Sequence, residues 1–366
     1  MNFVSVFMTF FAILGALDRI FGCRFKIGKE FERGFYLFGN MALSMIGMLI
    51  VSPLIADVMS PVFDWFANVL KLDPSIIPAS LFANDMGGAS LSKAITLDKN
   101  IGMYNALVVS SMMGCTISFT IPYALNVVKP EHHKDVLIGF LCGIVTIPIG
   151  CFVGGLFTDV SVLGLLFNLL PLILFAALIA VGLLLKPMLC VKIFSIFGKI
   201  INIIIIIGLC MGIIEFLITK KVLIKGLETY ENAALVCVNA ATVMAGAFPF
   251  IYILSKLVNP LLKYFGKKLK INETAALGFV SSLATSVTTF DLMGKMDKKG
   301  RVLNSAFTIS AAFVFAGHLA FTLAFDTDYI LPMIIGKLVA GIASVFVALF
   351  MYKRLNKEDK SNSVAQ

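Results

Sequence analysis

Long apolar runs separated by short polar loops set the rhythm of this chain. Runs long enough to cross a bilayer, about 20 residues at 1.5 Å rise per residue, fall near residues 3–21, 35–56, 104–128, 136–157, 162–185, 193–218, 233–255, 303–325 and 330–352. They predict nine spanning helices. Two further stretches, 75–96 and 274–293, break the pattern with Gly, Ser, Thr, Pro and Asp. The first contains LFANDMGGASLSKA, where a carboxylate and paired glycines interrupt an apolar setting. Such backbone survives at membrane depth only inside protein or beside a water-filled cavity, so both stretches are expected to be re-entrant hairpins or broken helices.

Shifting the chain against itself by 199 positions aligns residues 40–105 with the second half without gaps. Asn40, Pro61, Phe66, Lys71, Asp98 and Asn105 then meet Asn239, Pro260, Phe265, Lys270, Asp297 and Asn304. Both interrupted stretches fall in register. With these two elements re-entrant, most of the 30 Lys and Arg lie on one side of the membrane, as the positive-inside rule requires; Lys220, Lys221 and Lys225 are the exception. The expected fold is an all-α polytopic membrane protein of two inverted structural repeats. Each repeat has about four spanning helices plus a re-entrant or broken helix, and one extra span joins them. The boundaries read 1–158 for the first repeat, 159–192 for the linking helix, 193–353 for the second repeat and 354–366 for a cytoplasmic tail. Inverted repeats with broken elements are a secondary-transporter design, with substrate held where the halves meet.

Composition agrees. Hydrophobic residues make up 59% and charged residues 14% of the 366, with a mean hydropathy of +0.96, which excludes an ordinary soluble domain. The net charge of +9 sits in loops between apolar runs, so topology explains it and nucleic acid does not. Seven cysteines show no pairing pattern, and no cofactor is expected. The charges of the first apolar run follow it instead of preceding it, so a retained first span with its N-terminus outside is expected.

The candidate chemistry gathers in the interrupted stretches. Asp85, beside Gly87 and Gly88, places an anion at a hairpin tip where a cation can meet it and where glycines admit close approach; Asn84 adds an acceptor. The alternative is that Asp85 pairs with Lys93 or caps a short helix. One negative charge, not duplicated at Ala284 in the second half, suits one positively charged substrate. Opposite it, Ser282, Thr285 and Ser286 offer hydroxyls that either bind ligand or satisfy a broken helix. Asn40 and Asn239 occupy matching places, lining a pathway or bonding across helices. His318, alone in FVFAGHLAFT, accepts a proton or bonds a neighbouring helix. His132 and His133 lack partners at metal-ligand spacing. Lys337 lies within a span and receives no role.

FERGF, SPLIADVMSPV, NDMGG, SSMMG, TISFTIP, GIVTIPIGCFVGGL, SLAT, FVFAGHL and PMIIGKLVAGI, spread over residues 31–343, resemble the ethanolamine utilisation protein EutH family of bacterial inner-membrane permeases. Where that family tends to carry Asp before the histidine of FVFAGHL, this chain has Gly317, so an acid–histidine pair is not expected there. The resemblance implies uptake of ethanolamine, a primary amine protonated near neutral pH much as a lysine side chain is. Asp85 would balance the ammonium, while Asn84 and hydroxyl groups would hold the alcohol. It also implies a bacterial cytoplasmic membrane as location, the lipid bilayer as partner and alternating access, with proton, sodium or no coupling ion all open. Two rival classes stand beside this: a channel-like facilitator, and an intramembrane enzyme, for which no HExxH, GxSxG or GxxxxGK[ST] motif is present.

Overall fold

The computed structural model describes residues 3–36 and 38–364, without some side chains, among them Asn40 and those of 258–267 and 356–364. Among the described residues there is no strand. Seven helices among the described residues are long and apolar enough to cross a membrane: Ala42–Leu70, Lys99–Val127, Pro130–Gly155, Val162–Leu185, Pro187–Thr219, Tyr230–Leu254 and Thr327–Leu355. The chain is a multi-pass membrane protein. Of the nine runs expected from the sequence, two lie outside this set: 3–21, which forms the unbroken 18-residue helix α1, Phe3–Ile20, and 303–325, which is divided in two.

After α1 the chain turns into α2 (Ile27–Tyr36). Asp18 closes that turn by accepting from the backbone N–H groups of Phe25 and Gly28. The long helix α3 (Phe38–Leu70) contains Pro53 and Pro61, tolerable in a membrane helix because neighbours re-satisfy the freed carbonyls. Next comes the first interrupted stretch: α4 (Ile76–Leu81), a break, and α5 (Gly88–Ile95). A continuous, strongly buried span follows. It starts as α6 (Lys99–Tyr104), runs through π-helical turns at Asn105–Gly114 and Thr116–Thr120, and ends as α7 (Ile121–Val127). This span is the most buried of the seven. Polar Asn105, Ser110, Ser111 and Thr116 therefore face protein, not lipid.

Helices α8 (His133–Ile144) and α9 (Ile147–Gly155) make one span. Its small residues do what the GIVTIPIG pattern suggests. A side chain at Gly150 would collide with the Gly336 carbonyl at 2.3 Å, and the Thr146 hydroxyl donates to the Ala340 carbonyl at 3.2 Å. Helix α10 (Val162–Leu185), capped by the Ser161 hydroxyl at Gly164 N–H, presents Asn168 to Asn105. The two amides bond reciprocally at 2.7 and 3.0 Å, and Asn105 also reaches Ser75 at 2.8 Å. Helix α10 is thus tied by a buried polar triad to the first interrupted stretch.

Helices α11 (Pro187–Ile214) and α12 (Tyr230–Leu269) lead to the second interrupted stretch, α13 (Glu273–Ala284) and α14 (Ser286–Asp291). Then come α15 (Lys298–Ala311), α16 (Gly317–Phe325) and α17 (Ile330–Val364). The break between α15 and α16 divides the run at 303–325. Within it Phe313 adopts a left-handed φ of 63°, a strained choice for an aromatic residue. Its reward is hydrogen bonding: Phe313 N–H donates to the Ser282 carbonyl at 3.1 Å and Phe315 N–H to the Leu283 carbonyl at 3.0 Å. The carbonyls that α13 cannot use at its own end are met by another broken helix.

Candidate functional site

The interrupted stretches are both hairpins, because the two ends of each are fastened together. In the first, one carboxylate does the fastening. Asp73 accepts from Ser75 N–H with one oxygen, and from the Thr96 hydroxyl, Leu97 N–H and Asp98 N–H with the other, all at 2.9–3.0 Å. In the second, Asn272 donates its N–H to Asp297 at 2.9 Å and its side-chain amide to the Lys295 carbonyl at 2.8 Å. Asp98 and Asp297 each cap the helix that follows, where a carboxylate is favoured. The two ends of each interrupted stretch are therefore held side by side.

At the first tip the chain is extended at Phe82 and Ala83, makes a 3₁₀ turn over Asn84–Met86, and reverses at Gly87 with φ of 103°. That angle is one a glycine adopts freely, and an added side chain there would also strike Met48 at 2.3 Å. Gly88 lies against the carbonyls of Phe82 and Ala83 and against Ser110, at 2.3–2.8 Å from where a Cβ would sit. Gly114 brings the π-helical span closer still to the Phe82 carbonyl, and the Ser118 hydroxyl accepts from Ala83 N–H at 3.1 Å while donating to the Gly114 carbonyl at 2.8 Å. The glycines thus seat the tip on backbone, leaving the side chains of Asn84 and Asp85 as its polar groups.

Asn84 is 1% exposed, and both its amide nitrogen and its oxygen lack hydrogen-bond partners. A buried amide left in this condition costs several kcal/mol, about 1–3 per group, so it marks either a ligand position or a water site. Among the described residues five more buried atoms share the condition: Ser286 Oγ, Asn304 Oδ1, Ser310 Oγ, His318 Nδ1 and Thr322 Oγ1. Helix α16, which carries His318 and Thr322, packs against the Asn84–Met86 turn. The His318 ring leans on the strained Phe313 at 5.1 Å. Asp85 is partly buried and does not pair with Lys93, whose ammonium lies over the Phe325 ring at 5.2 Å. The capping alternative fails to appear as well, since no side chain caps α5.

The second tip spends its hydroxyls on itself. Ser282, fully buried, bonds the Gly278 carbonyl at 3.0 Å, Thr289 at 2.9 Å and Thr308 at 2.7 Å. Thr285 caps α14 by accepting from Val287 N–H at 3.2 Å. Ser286 alone of the three expected hydroxyls is buried without a partner. Asn239 stands exposed on α12, and the side chain of Asn40 lies outside the described residues. The structure therefore gathers Asn84, Asp85, Gly87, Gly88 and His318 around one tip, with Ser282, Thr285 and Ser286 at the other.

One residue that sequence reasoning passed over is a charged group buried in the core. Lys337 on α17 is 1% exposed and donates to the Ser111 carbonyl at 2.6 Å. Ser111 follows Ser110, the residue against which Gly88 is packed. Asp85, His318, Cys115 and Cys151 lie within the electrostatic reach of its ammonium. The signal was available: an ionisable residue inside a span is a functional candidate by default.

Two cavities flank the hairpins. One of about 400 Å³ runs beside α5, lined by Ser52, Ser90, Lys93, Glu228, Asn232 and Phe325; Ser90 in it touches both Ser52 at 2.7 Å and the Gly87 carbonyl at 3.3 Å. The other, about 300 Å³, is lined by Glu30, Arg33, Ser281, Thr285 and Thr288. Glu228 lies in the loop before α12, and its carboxyl is held below the usual range by the Asn232 amide, against the opposing effect of partial burial and with further help from Thr229. Among the described residues no group of three or more His, Cys, Asp or Glu is placed to hold a metal ion.

Comparison with known proteins places the chain in a family. Residues 1–351 match the family described as Ethanolamine utilisation protein, EutH. The chain belongs to the EutH family. It is 42% identical to the probable ethanolamine permease EutH of Listeria monocytogenes serotype 1/2a (strain 10403S) over 97% of this chain and 95% of that protein. The proteins of the same name from Salmonella typhimurium and Escherichia coli K12 are each 36% identical, covering 95% and 97% of this chain and 94% and 96% of theirs. No solved structure matches the chain.

Proposed function

We propose that this member of the EutH family is a permease that takes up ethanolamine across the bacterial cytoplasmic membrane, with the first hairpin tip as its binding site. The observation that carries the reading is a buried, unpartnered amide at Asn84 next to the carboxylate of Asp85, on a glycine-seated tip packed against helix α16. Protonated ethanolamine carries an ammonium and a hydroxyl two carbons apart. Asp85 neutralises the first, because a small cation in a low-dielectric site needs a counter-charge. Asn84 takes the second, with the His318 and Thr322 atoms completing the shell. Gly87 and Gly88 shape the backbone around them, and the second tip keeps one unpartnered hydroxyl, that of Ser286.

The transport cycle follows from the paired hairpins. Each is re-entrant, since its two ends are bonded together, and the two belong to inverted repeats joined by α10. Rocking one repeat against the other exposes the tip alternately through the cavity beside α5 and the one beside α13. In this arrangement the N-terminus is outside and the C-terminal residues 354–366 are cytoplasmic. The shared permease name of the relatives and the absence of a nucleophile–base pair in the proposed site favour transport over intramembrane catalysis.

Uptake of labelled ethanolamine by proteoliposomes tests this. Asp85→Asn removes the counter-charge of a buried cation, worth about 3 kcal/mol or more, so uptake at low substrate falls about 100-fold or more with normal reconstitution. Undiminished uptake in that variant would remove Asp85 from the mechanism.

A further inference from the structure

A cavity of about 800 Å³, twice the volume of the one beside α5, opens between the end of α12 and helices α13, α15 and α17. The transport path proposed above makes no use of it. Its floor is apolar. Phe279 of α13 and Phe307 of α15 meet there edge to face at 5.2 Å, and Ile342, Val345, Phe346 and Leu349 of α17 extend it. The polar part of the lining is four lysines, Lys268, Lys270, Lys299 and Lys353, and no lining residue is acidic. Lys270, left-handed at φ of 53°, directly follows the last residue of α12. The Lys299 ammonium donates to the Leu269 carbonyl beside it and so fastens α15 to that helix end. Among the described residues none of the four lysines lies within ion-pair distance of a carboxylate, and Asp297 accepts from the N–H groups of Asn272 and Gly300 instead. The Lys299 ammonium is held below its usual range by partial burial first, then by the like charge of Lys353, with Lys270 adding to the effect and Asp297 opposing it. Cations gathered in this way favour an anion.

The layout along α17 selects the kind of anion. Ile342, Val345, Phe346, Leu349 and Lys353 recur at three- and four-residue spacing and so share one face of the helix. From Ile342 to Lys353 that face rises about 16 Å at 1.5 Å per residue, about half of a hydrocarbon core roughly 30 Å thick. The charge sits near the end of the span Thr327–Leu355, and the apolar floor runs inward for the depth of one leaflet. Ile342 and Phe346 are 54% and 69% exposed, which leaves that floor open to an acyl chain. We infer that the groove holds an anionic phospholipid, its phosphate among Lys268, Lys270 and Lys353 and an acyl chain along Phe307 and the α17 face. A free phosphate would meet the lysines and leave the floor bare. A zwitterionic lipid would cover the floor but bring a cation of its own to the lysines. In the arrangement proposed above the leaflet is the cytoplasmic one, and a basic pocket between spanning helices on that side suits an anionic headgroup. Because α13 belongs to the second hairpin, the bound lipid braces that hairpin against α15 and α17. None of this depends on which substrate the permease carries.

Native mass spectrometry of the full chain, stripped of lipid in detergent and titrated with phosphatidylglycerol or phosphatidylcholine, tests this. Phosphatidylglycerol is expected to bind about tenfold more tightly or better, and equal binding of the two lipids overturns the inference. Lys268→Gln, Lys270→Gln and Lys353→Gln together should abolish the preference and leave phosphatidylcholine binding unchanged; Lys299 is spared because it holds the end of α12. A control variant removes as many charges elsewhere: Lys220→Gln, Lys221→Gln and Lys225→Gln together should keep the preference. Equal loss in the two triple variants would mean attraction to overall positive charge only, and would overturn the groove as the site. A preference that survives the first triple variant does the same. Displacement of phosphatidylglycerol by millimolar glycerol 3-phosphate would assign the lysines to a soluble anion and overturn the lipid. Should the first variant fail to fold, a photoactivatable phosphatidylglycerol on wild-type protein gives an independent reading. Its crosslinks are expected within residues 299–307 and 342–353, and crosslinks confined to other segments overturn the inference.

Discussion

The two hairpins are built alike and finished differently. Each runs helix, break, helix, then an aspartate-capped helix, with its ends bonded to one another. At the first tip, buried polar atoms of Asn84 are left without partners beside a carboxylate. At the second, Ser282, Thr289 and Thr308 satisfy one another, and the carbonyls of Ser282 and Leu283 are met by the broken stretch at Phe313–Phe315. The same backbone device thus leaves an amide and a carboxylate free at one tip and, at the other, spends its polar groups on itself except for the Ser286 hydroxyl. What separates them is hydrogen-bond accounting: polar groups spent internally are not left for a ligand.

The largest effect is expected from moving the anion. Ala284, the last residue of α13, is the position that the shift of 199 sets against Asp85. Adding Ala284→Asp to Asp85→Asn should leave ethanolamine uptake about 100-fold down, because the charge alone does not make a tip into a site. Recovery of uptake in the double variant would show the hairpins to be interchangeable.

A smaller effect separates their closures. Asp73→Ala strips four acceptor contacts from the ends of the first hairpin and should cost about 3 kcal/mol in thermal unfolding of the purified protein. Asn272→Ala removes a helix cap and one amide bond and should cost about 1 kcal/mol. Equal losses would contradict the view that a single carboxylate closes the first hairpin. Below these comes Ser282→Ala, expected to cost about 1 kcal/mol of stability with ethanolamine affinity retained. A change in affinity would return that hydroxyl to the binding site.

The smallest effect concerns the entry cavity beside the first hairpin. Glu228→Gln should slow uptake a few-fold at low ionic strength and negligibly at high salt, since an exposed carboxylate acts on a cation by screened attraction. The Asn232 amide lowers the carboxyl's pKa, so the charge persists as pH falls through the ordinary carboxylate range and is lost only below it. The salt-dependent difference between wild type and variant should therefore hold at mildly acidic pH. Its disappearance there would place the relevant carboxylate elsewhere.

Much of this plan is legible in the chain. Apolar runs of bilayer length announce a helical membrane protein, and the Gly-, Ser- and Asp-bearing stretches announce where helices break, because lipid admits irregular backbone only where protein or water covers it. Paired positions such as Asp98 with Asp297 and Asn105 with Asn304 carry over to paired caps and buried amides. The run at 303–325 read as one span because its composition is apolar throughout; the split at 312–316 comes from hydrogen bonds to α13, which composition does not encode. Asn239 looked equivalent to Asn40, yet its side chain points outward from α12.

Sequence by itself determined the solvent and the local chemistry: which segments belong in lipid, where the backbone must break, and that Asp85 is an anion among apolar neighbours. Tertiary structure decided which polar groups are spent and which are left over. Whether Ser282 is free, whether Lys93 or Phe325 meets the other's face, and whether Lys337 shares a field with Asp85 all depend on neighbours brought together from distant parts of the chain. The physical reason is that a hydrogen bond or a buried charge is a property of a pair, and in the core of this fold the partners lie on different helices.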